Sequence, residues 1–427
     1  MKYLLPVLLT FSTIACSTKS EMSKITTPSD YNQFLQSTQD NTALEEEIEF
    51  WATKIAAQPK AFTYLQKQGT AYLKLFKQSG NIELLHSSFD KFKEANSFLK
   101  GKSKASNLLT LSELSIMKHD FDAARVYAEE ALQLTDEKFG PEMMRFDAYM
   151  ELGDYMVCKT ILERNKRMDS FDYLVRLGKF KDHEGNLDSA IVYMERAEQM
   201  IRNEKSPRAL WINANLGDMY GHAGRISESY EKYIKVLNLE SNYDYALKGI
   251  AWIAYSADRN ISEARRILTV LHSKTNLPDH HLSLAELAEF ENNFALATKH
   301  IDAFVSEASK PEYKGMYNKY LIEIYADRGD FQSAFALAND ENRKRPTPAT
   351  YDWLAWTNHL AGNKEVAISI YENMVEGKTE EPDVLYHMAM AFSENGIERG
   401  KDYLKEVQEA SYELGPVLSQ KINNTLH

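Results

Sequence analysis

The sequence predicts an all-α solenoid, a row of short helix pairs stacked one on the next. Three observations predict it. Small residues recur at Ala124, Cys158, Ala190, Ser229, Ala264, Ala297, Ala334, Ala367 and Gly400, spaced by 34, 32, 39, 35, 33, 37, 33 and 33 residues, a period at which one supersecondary unit repeats. Five residues earlier stands Gly153, Gly185, Gly224, Gly329 or Gly362, with Asn292 and Asn395 in two further copies; Gly and Asn accept a left-handed backbone and so close one helix before the next begins. Nine residues before the small residue, Tyr149, Tyr220 and Tyr325 recur.

From the start of the chain, Met1, Lys2 and the apolar run Tyr3 to Ala15 give a charged start and a hydrophobic stretch too short to span a bilayer. That pattern predicts a secretory signal over residues 1–15. It ends in Thr13-Ile14-Ala15-Cys16, which resembles the bacterial lipobox, with Thr13 where that motif prefers Leu. The resemblance implies a lipidated Cys16, and acyl chains at about 0.8 kcal/mol per buried methylene make such an anchor effectively permanent. Ser17 in place of Asp implies the outer membrane, with the periplasmic face expected over the cell surface. Residues 16–41 are expected as a flexible tether, since their first half is rich in Ser, Thr and Lys.

Residues 42–104 are expected as N-terminal helices. Thr42 and Glu45 suggest a capping box before Leu44, Ile48, Trp51 and Ile55 at helical spacing, and Pro59 ends that helix. Helices over 61–78 and 82–99 follow around a Gly80-Asn81 turn, a divergent repeat with Leu85 in the small-residue place. Lys100 to Lys104 are expected as a linker.

The regular array spans 105–410. Its clearest copies are Leu177, Gly178, Gly185, Ala190, Ala197 and Leu216, Gly217, Tyr220, Gly224, Ser229, Tyr233. These resemble the tetratricopeptide repeat, which implies a right-handed α-solenoid of about nine to ten helix-turn-helix units. In that family Gly178 and Gly217 would let helix A approach helix B, and Ala190 and Ala197 would keep helix B thin at the crossing. The end copies are degenerate, with His119 for the turn Gly and Gly400 for Ala, as capping repeats are. One copy has a spare residue, which belongs in the turn Ser256 to Ile261, because Leu247, Ile250, Ala251 and Ala254 then share one apolar face. Residues 411–427, with Pro416 breaking the chain, are expected as a C-terminal tail that caps the array.

The formal net charge is −12, and one more negative once the segment carrying Lys2 is removed, so nucleic acid is not an expected partner. Of two cysteines, Cys16 is the lipidation site and Cys158 is expected to pack. No catalytic, cofactor or metal constellation emerges: Gly396 to Asp402 and Asp182 to Asp188 fall in repeat turns, and His280-His281 lacks an acidic partner at zinc-site spacing. An enzyme is not expected. The family resemblance implies a concave groove lined by helix A residues, which places Trp211, Tyr245, Lys248, Trp252, Tyr255, Lys319 and Trp356 as candidate binding residues, with His359 beside them. A protein or peptide partner is therefore expected. The alternative is a nutrient- or glycan-binding outer-membrane lipoprotein, in which exposed Trp would stack on sugars.

Overall fold

The computed structural model describes residues 24–37, 40–275 and 277–426; the leader and Cys16 lie outside the described residues. The described chain holds 23 α-helices and no strand. Helices α1 (Pro28–Leu35) and α2 (Thr42–Ala57) precede ten antiparallel pairs. The first five are α3 (Phe62–Ser79) with α4 (Ile82–Asn96), α5 (Gly101–Met117) with α6 (Phe121–Gln133), α7 (Phe139–Leu152) with α8 (Tyr155–Arg164), α9 (Phe171–His183) with α10 (Leu187–Gln199), and α11 (Pro207–His222) with α12 (Ile226–Leu239). The second five are α13 (Asp244–Ser256) with α14 (Ile261–Lys274), α15 (Asp279–Phe290) with α16 (Phe294–Ala308), α17 (Asn318–Asp327) with α18 (Phe331–Lys344), α19 (Pro348–Leu360) with α20 (Lys364–Ile370), and α21 (Pro382–Glu394) with α22 (Arg399–Glu409). Helix α23 (Ser411–Leu426) follows. The architecture is thus the expected all-α solenoid of helix-turn-helix repeats.

A shared local device closes these pairs. Gly153 and Gly185 take φ of 81° and 74°, and the next residues, Asp154 and Asn186, accept the N–H groups of Val157 and Ser189 at 3.3 and 3.0 Å. In the last pair the left-handed residue is Gly396, not Asn395, because that turn sits one residue closer to Gly400. Eight of the nine ladder residues are buried, and Ala297 is the exception, since the first turn of α16 stands free with Phe294 61% exposed. Helix A approaches helix B as expected: a Cβ on Gly178 would lie 3.3 Å from the Ala190 carbonyl, and one on Gly217 2.7 Å from the Tyr233 ring. Tyr149 and Tyr220 tie each repeat to the one before, donating to Glu129 at 2.5 Å and Glu195 at 2.8 Å.

The spare residue lies where its slack was assigned, between Ser256 and the left-handed Arg259. It has a use. Asp258 in this longer turn accepts the Ile25 and Thr26 N–H groups at 2.7 and 2.9 Å and the Thr26 hydroxyl at 2.6 Å. Tyr31 is fully buried and donates to Glu263 at 2.6 Å, while Phe34 and Leu35 join the core of α12 to α14. Residues 24–37 are therefore docked structure and not a tether. Two smaller expectations also fail. Helix α2 is capped at Asn41, with Asp40 accepting the Thr42 N–H at 3.0 Å, so no Thr42–Glu45 box forms. Residues 101–104 open α5, where Lys104 pairs with Glu130 at 2.6 Å, because the apolar face of Ala105, Leu108 and Leu111 extends back by a turn.

The array winds until its second turn rests on its first. The turn edge of the first pairs meets the loops of the last: Gly80 abuts Leu277, Gly153 abuts Thr347 and Gly185 abuts Glu380, each within 2.9 Å of where a Cβ would stand. His86 meets the Glu312 carbonyl at 2.7 Å, Lys314 pairs with Asp120 at 3.4 Å, and Tyr313 is buried among Ile82, Leu85 and Leu108. The first helices of the pairs consequently face an enclosed interior. Residues 411–426 enter that interior against α11, α13 and α15, rather than capping the array in solvent. Gly415, at φ 77° and ψ 169°, breaks α23 at that point.

Candidate functional site

On α17, α19 and α21 the interior face is built from polar or aromatic residues four apart, a spacing that puts both on one side of a helix. Lys319 and Glu323 on α17, Asp352 and Trp356 on α19, and Asp383 and His387 on α21 form one group. Lys319 forms an ion pair with Asp383. Burial works against the Lys319 charge, but Asp383 and Glu323 outweigh it and hold the ammonium above its ordinary value. Asp352 is 1% exposed and receives the Tyr371 hydroxyl at 2.9 Å, with His387 Nδ1 at 3.0 Å. Burial pulls His387 down, yet Asp352, Glu323 and Asp383 together push it up to about 9. Trp356 lies flat on this imidazolium, with centroids 4.4 Å apart and planes 13° apart, and His359 stacks at 5.2 Å. Burial pushes Glu323 and Glu381 up to about 7.

A second group surrounds the C-terminal segment. Trp252 donates its indole N–H to the Tyr412 carbonyl at 3.1 Å, and Tyr412 itself packs against Gly221, leaving 2.8 Å between its ring and a would-be Cβ. Gly415 abuts the Trp252 ring, and Lys421 pairs with Glu289 at 3.1 Å. Tyr245, 53% exposed, donates to Asp218 at 2.7 Å, and Lys248 forms an ion pair with Asp279. Between the two groups lies a polar cavity of about 680 Å³, bounded by Lys179, Lys319, Arg345, Glu381, Asp383 and Glu413.

Of the sequence-assigned residues, Tyr245, Lys248 and Trp252 thus belong to one interior group and Lys319 and Trp356 to the other. Tyr255 is 2% exposed and packs edge-on against Trp252 and Phe290, a core residue. Trp211 is 40% exposed near the start of α11 and joins neither group. Asp218, Asp352, His387 and Tyr412 were not foreseen. For Asp352 and His387, the i, i+4 pairing with Trp356 and Asp383 was a usable signal; nothing local marks Tyr412. Cys158 is fully buried, its thiol pushed up to about 12 by burial, and it packs as expected. Among the described residues, no helix is long and apolar enough to cross a membrane. Ion pairs and stacked rings of this kind suit noncovalent recognition.

The fold and its lined interior define a helix-turn-helix solenoid. No protein-family model matches the chain, and no curated protein matches it. Among solved structures it is similar to Pseudomonas aeruginosa pilF, at 14% identity over 51% of this chain and 98% of that one, with a TM-score of 0.38. It is similar to a tetratricopeptide repeat protein from Parabacteroides merdae, at 13% identity over 67% and 98% of the two chains, TM-score 0.37. It is also similar to yeast Tom70, at 13% identity over 86% and 96%, TM-score 0.33.

Proposed function

We propose that the protein is a lipid-anchored scaffold of a Gram-negative envelope, which holds a peptide segment of a protein partner against its interior face. The observation that carries this reading is that the face already receives a peptide: Trp252 binds a backbone carbonyl of residues 411–426, and Tyr412 fills a notch at Gly221. A partner segment offering a carbonyl and an aromatic side chain would use the same features. The sugar-stacking alternative is disfavoured, because Trp356 is stacked by His387 and His359 and Trp252 meets Gly415 and the edge of Tyr255, leaving Trp211 as the most exposed of the three candidate tryptophans. Cys16 precedes Lys24 by eight residues, and Ile25 is fixed to Asp258, so an anchor at Cys16 would hold the α13–α14 turn near the membrane surface. A photo-crosslinking residue at Tyr245 should capture one partner in native membranes, and the same residue at Val192, 58% exposed on α10, should not. Equal capture at both positions would contradict the interior as the binding face. Cys16→Ala should release the protein from membranes, and retention of that variant without its partner would sink the anchor.

A further inference from the structure

Beside Tyr412 lies a separate cavity of about 270 Å³ between α11, α13 and the C-terminal segment. Tyr233, Tyr245, Trp252 and Tyr412 contribute aromatic rings to its walls, and Asp218 and Glu413 contribute carboxylates. Asp218 is fixed by two hydroxyl donors, Tyr233 at 2.5 Å and Tyr245 at 2.7 Å. Hydrogen bonds orient a carboxylate but do not neutralise it. Among the described residues no cationic side chain forms an ion pair with Asp218. Lys248, the one ammonium in the wall, is taken by Asp279, and His222 faces Glu413 at 3.8 Å. Burial holds the Asp218 carboxyl above its ordinary value, opposed by the two tyrosine hydrogen bonds and, at longer range, by His222 and Lys248.

The ring faces tell the same story. Several rings elsewhere in the chain carry a cation of the chain on one face: Arg225 over Tyr220 at 4.1 Å, Lys118 over Phe89 at 3.9 Å, Arg345 over Trp353 at 5.2 Å. Among the described residues, none of the four rings of this cavity carries such a cation. Tyr255, 2% exposed, also lines the cavity. The cavity therefore combines electron-rich faces with a carboxylate that has no ion-pair partner. Rings attract cations through their quadrupole, and more so where water is excluded. Its volume lies just below the range of about 300–1,000 Å³ that holds drug-sized ligands, so the occupant is short.

We infer that this cavity binds an alkylammonium group, supplied by a short free amine or by a lysine side chain of a peptide, with Asp218 as its counter-charge and Tyr233, Tyr245, Trp252 and Tyr412 as its cage. The free-amine arm needs no protein partner, so it stands or falls apart from the scaffold reading above. Isothermal titration of the full chain with n-butylammonium, n-butanol, ammonium chloride and a capped Gly-Lys-Gly peptide tests it. Binding of butylammonium, of the peptide or of both, without binding of butanol or of ammonium chloride, is the expected result, and which of the two binds identifies the source. Asp218→Asn should weaken that binding by at least about tenfold, the loss of one charge-assisted contact. Should Asp218→Asn lower the melting temperature, Trp252→Phe, which keeps a ring but offers a poorer cation face, must itself weaken binding. No binding of either amine, equal binding of butanol, or a folded Asp218→Asn variant of unchanged affinity would overturn the proposal.

Discussion

His387 is the residue at which the interior is most sensitive to pH. It faces Asp352 on α19, Glu323 on α17 and Asp383 on its own helix, with the Trp356 ring across it. Its folded pKa of about 9 lies above the ordinary 6.5, so the stability it contributes is fully present below about pH 6.5 and is lost as pH rises through about 9. A shift of this size corresponds to on the order of 3 kcal/mol. Burial pushes His119, His183 and His280 down, so they act below their ordinary value, while Glu286, Glu323 and Glu381, pushed up to about 7, are half-titrated there and complete their change about one pH unit higher. The window from about pH 8 to 9 therefore belongs to His387. Thermal melts should show the melting temperature falling across it. His387→Gln should be less stable at pH 7, because Asp352 loses its counter-charge, and nearly flat above. A wild-type melting temperature that rises across the same window would contradict the assignment.

At the scale of elements, the docked N-terminal segment depends on one inserted residue. Asp258 gathers three hydrogen bonds from Ile25 and Thr26, and these begin a segment whose only large buried side chains are Tyr31, Phe34 and Leu35. Asp258→Ala should free this segment at a cost of roughly 1–3 kcal/mol, the penalty for leaving buried donors unpaired. Hydrogen exchange should quicken in residues 25–35 and stay unchanged in α19 to α22; protection that persists in the variant would show that burial of Tyr31 alone holds the segment. The slack itself was legible, because a period makes one extra residue visible. Its purpose was not, since a Ser- and Thr-rich stretch with few apolar residues resembles a tether until its receiving surface is known. The groove residues divide the same way. Helical spacing assigns Tyr245, Lys248, Trp252 and Tyr255 to helix α13, but only the fold distinguishes Tyr255, sunk between Trp252 and Phe290, from its neighbours. Periodicity likewise gave the pairs and most of their turns, where a left-handed residue and a following Asp or Asn are local chemistry.

The closure of the whole molecule has no such signature. A repeat period specifies contacts between neighbours, and in an open solenoid each unit touches only those, so unfolding can break up along the array. Here Lys314 meets Asp120 across 194 residues, and Tyr313 enters the core formed by Ile82, Leu85 and Leu108. Such contacts follow from the accumulated twist of many pairs and leave no spacing in the sequence. Physically they couple the two ends of the array and shut the interior that holds Trp252, Trp356 and their partners. Tyr313 is the clean place to test this, because it lies in the short 3₁₀ turn Pro311–Tyr313 between α16 and α17 and stands outside the core of any pair of its own. Tyr313→Ala should remove roughly 3–5 kcal/mol of burial from the seam, by analogy with other large aromatic truncations, while leaving helix content unchanged by circular dichroism. The seam should then open. Small-angle scattering should report a larger radius of gyration, and denaturant unfolding, expected as a single transition in the parent, should separate into two as the early and late pairs lose their mutual support. A variant with unchanged dimensions and one transition would mean that stacking between neighbours alone sets the shape, and that the interior is closed by the curvature of the array with no help from the seam.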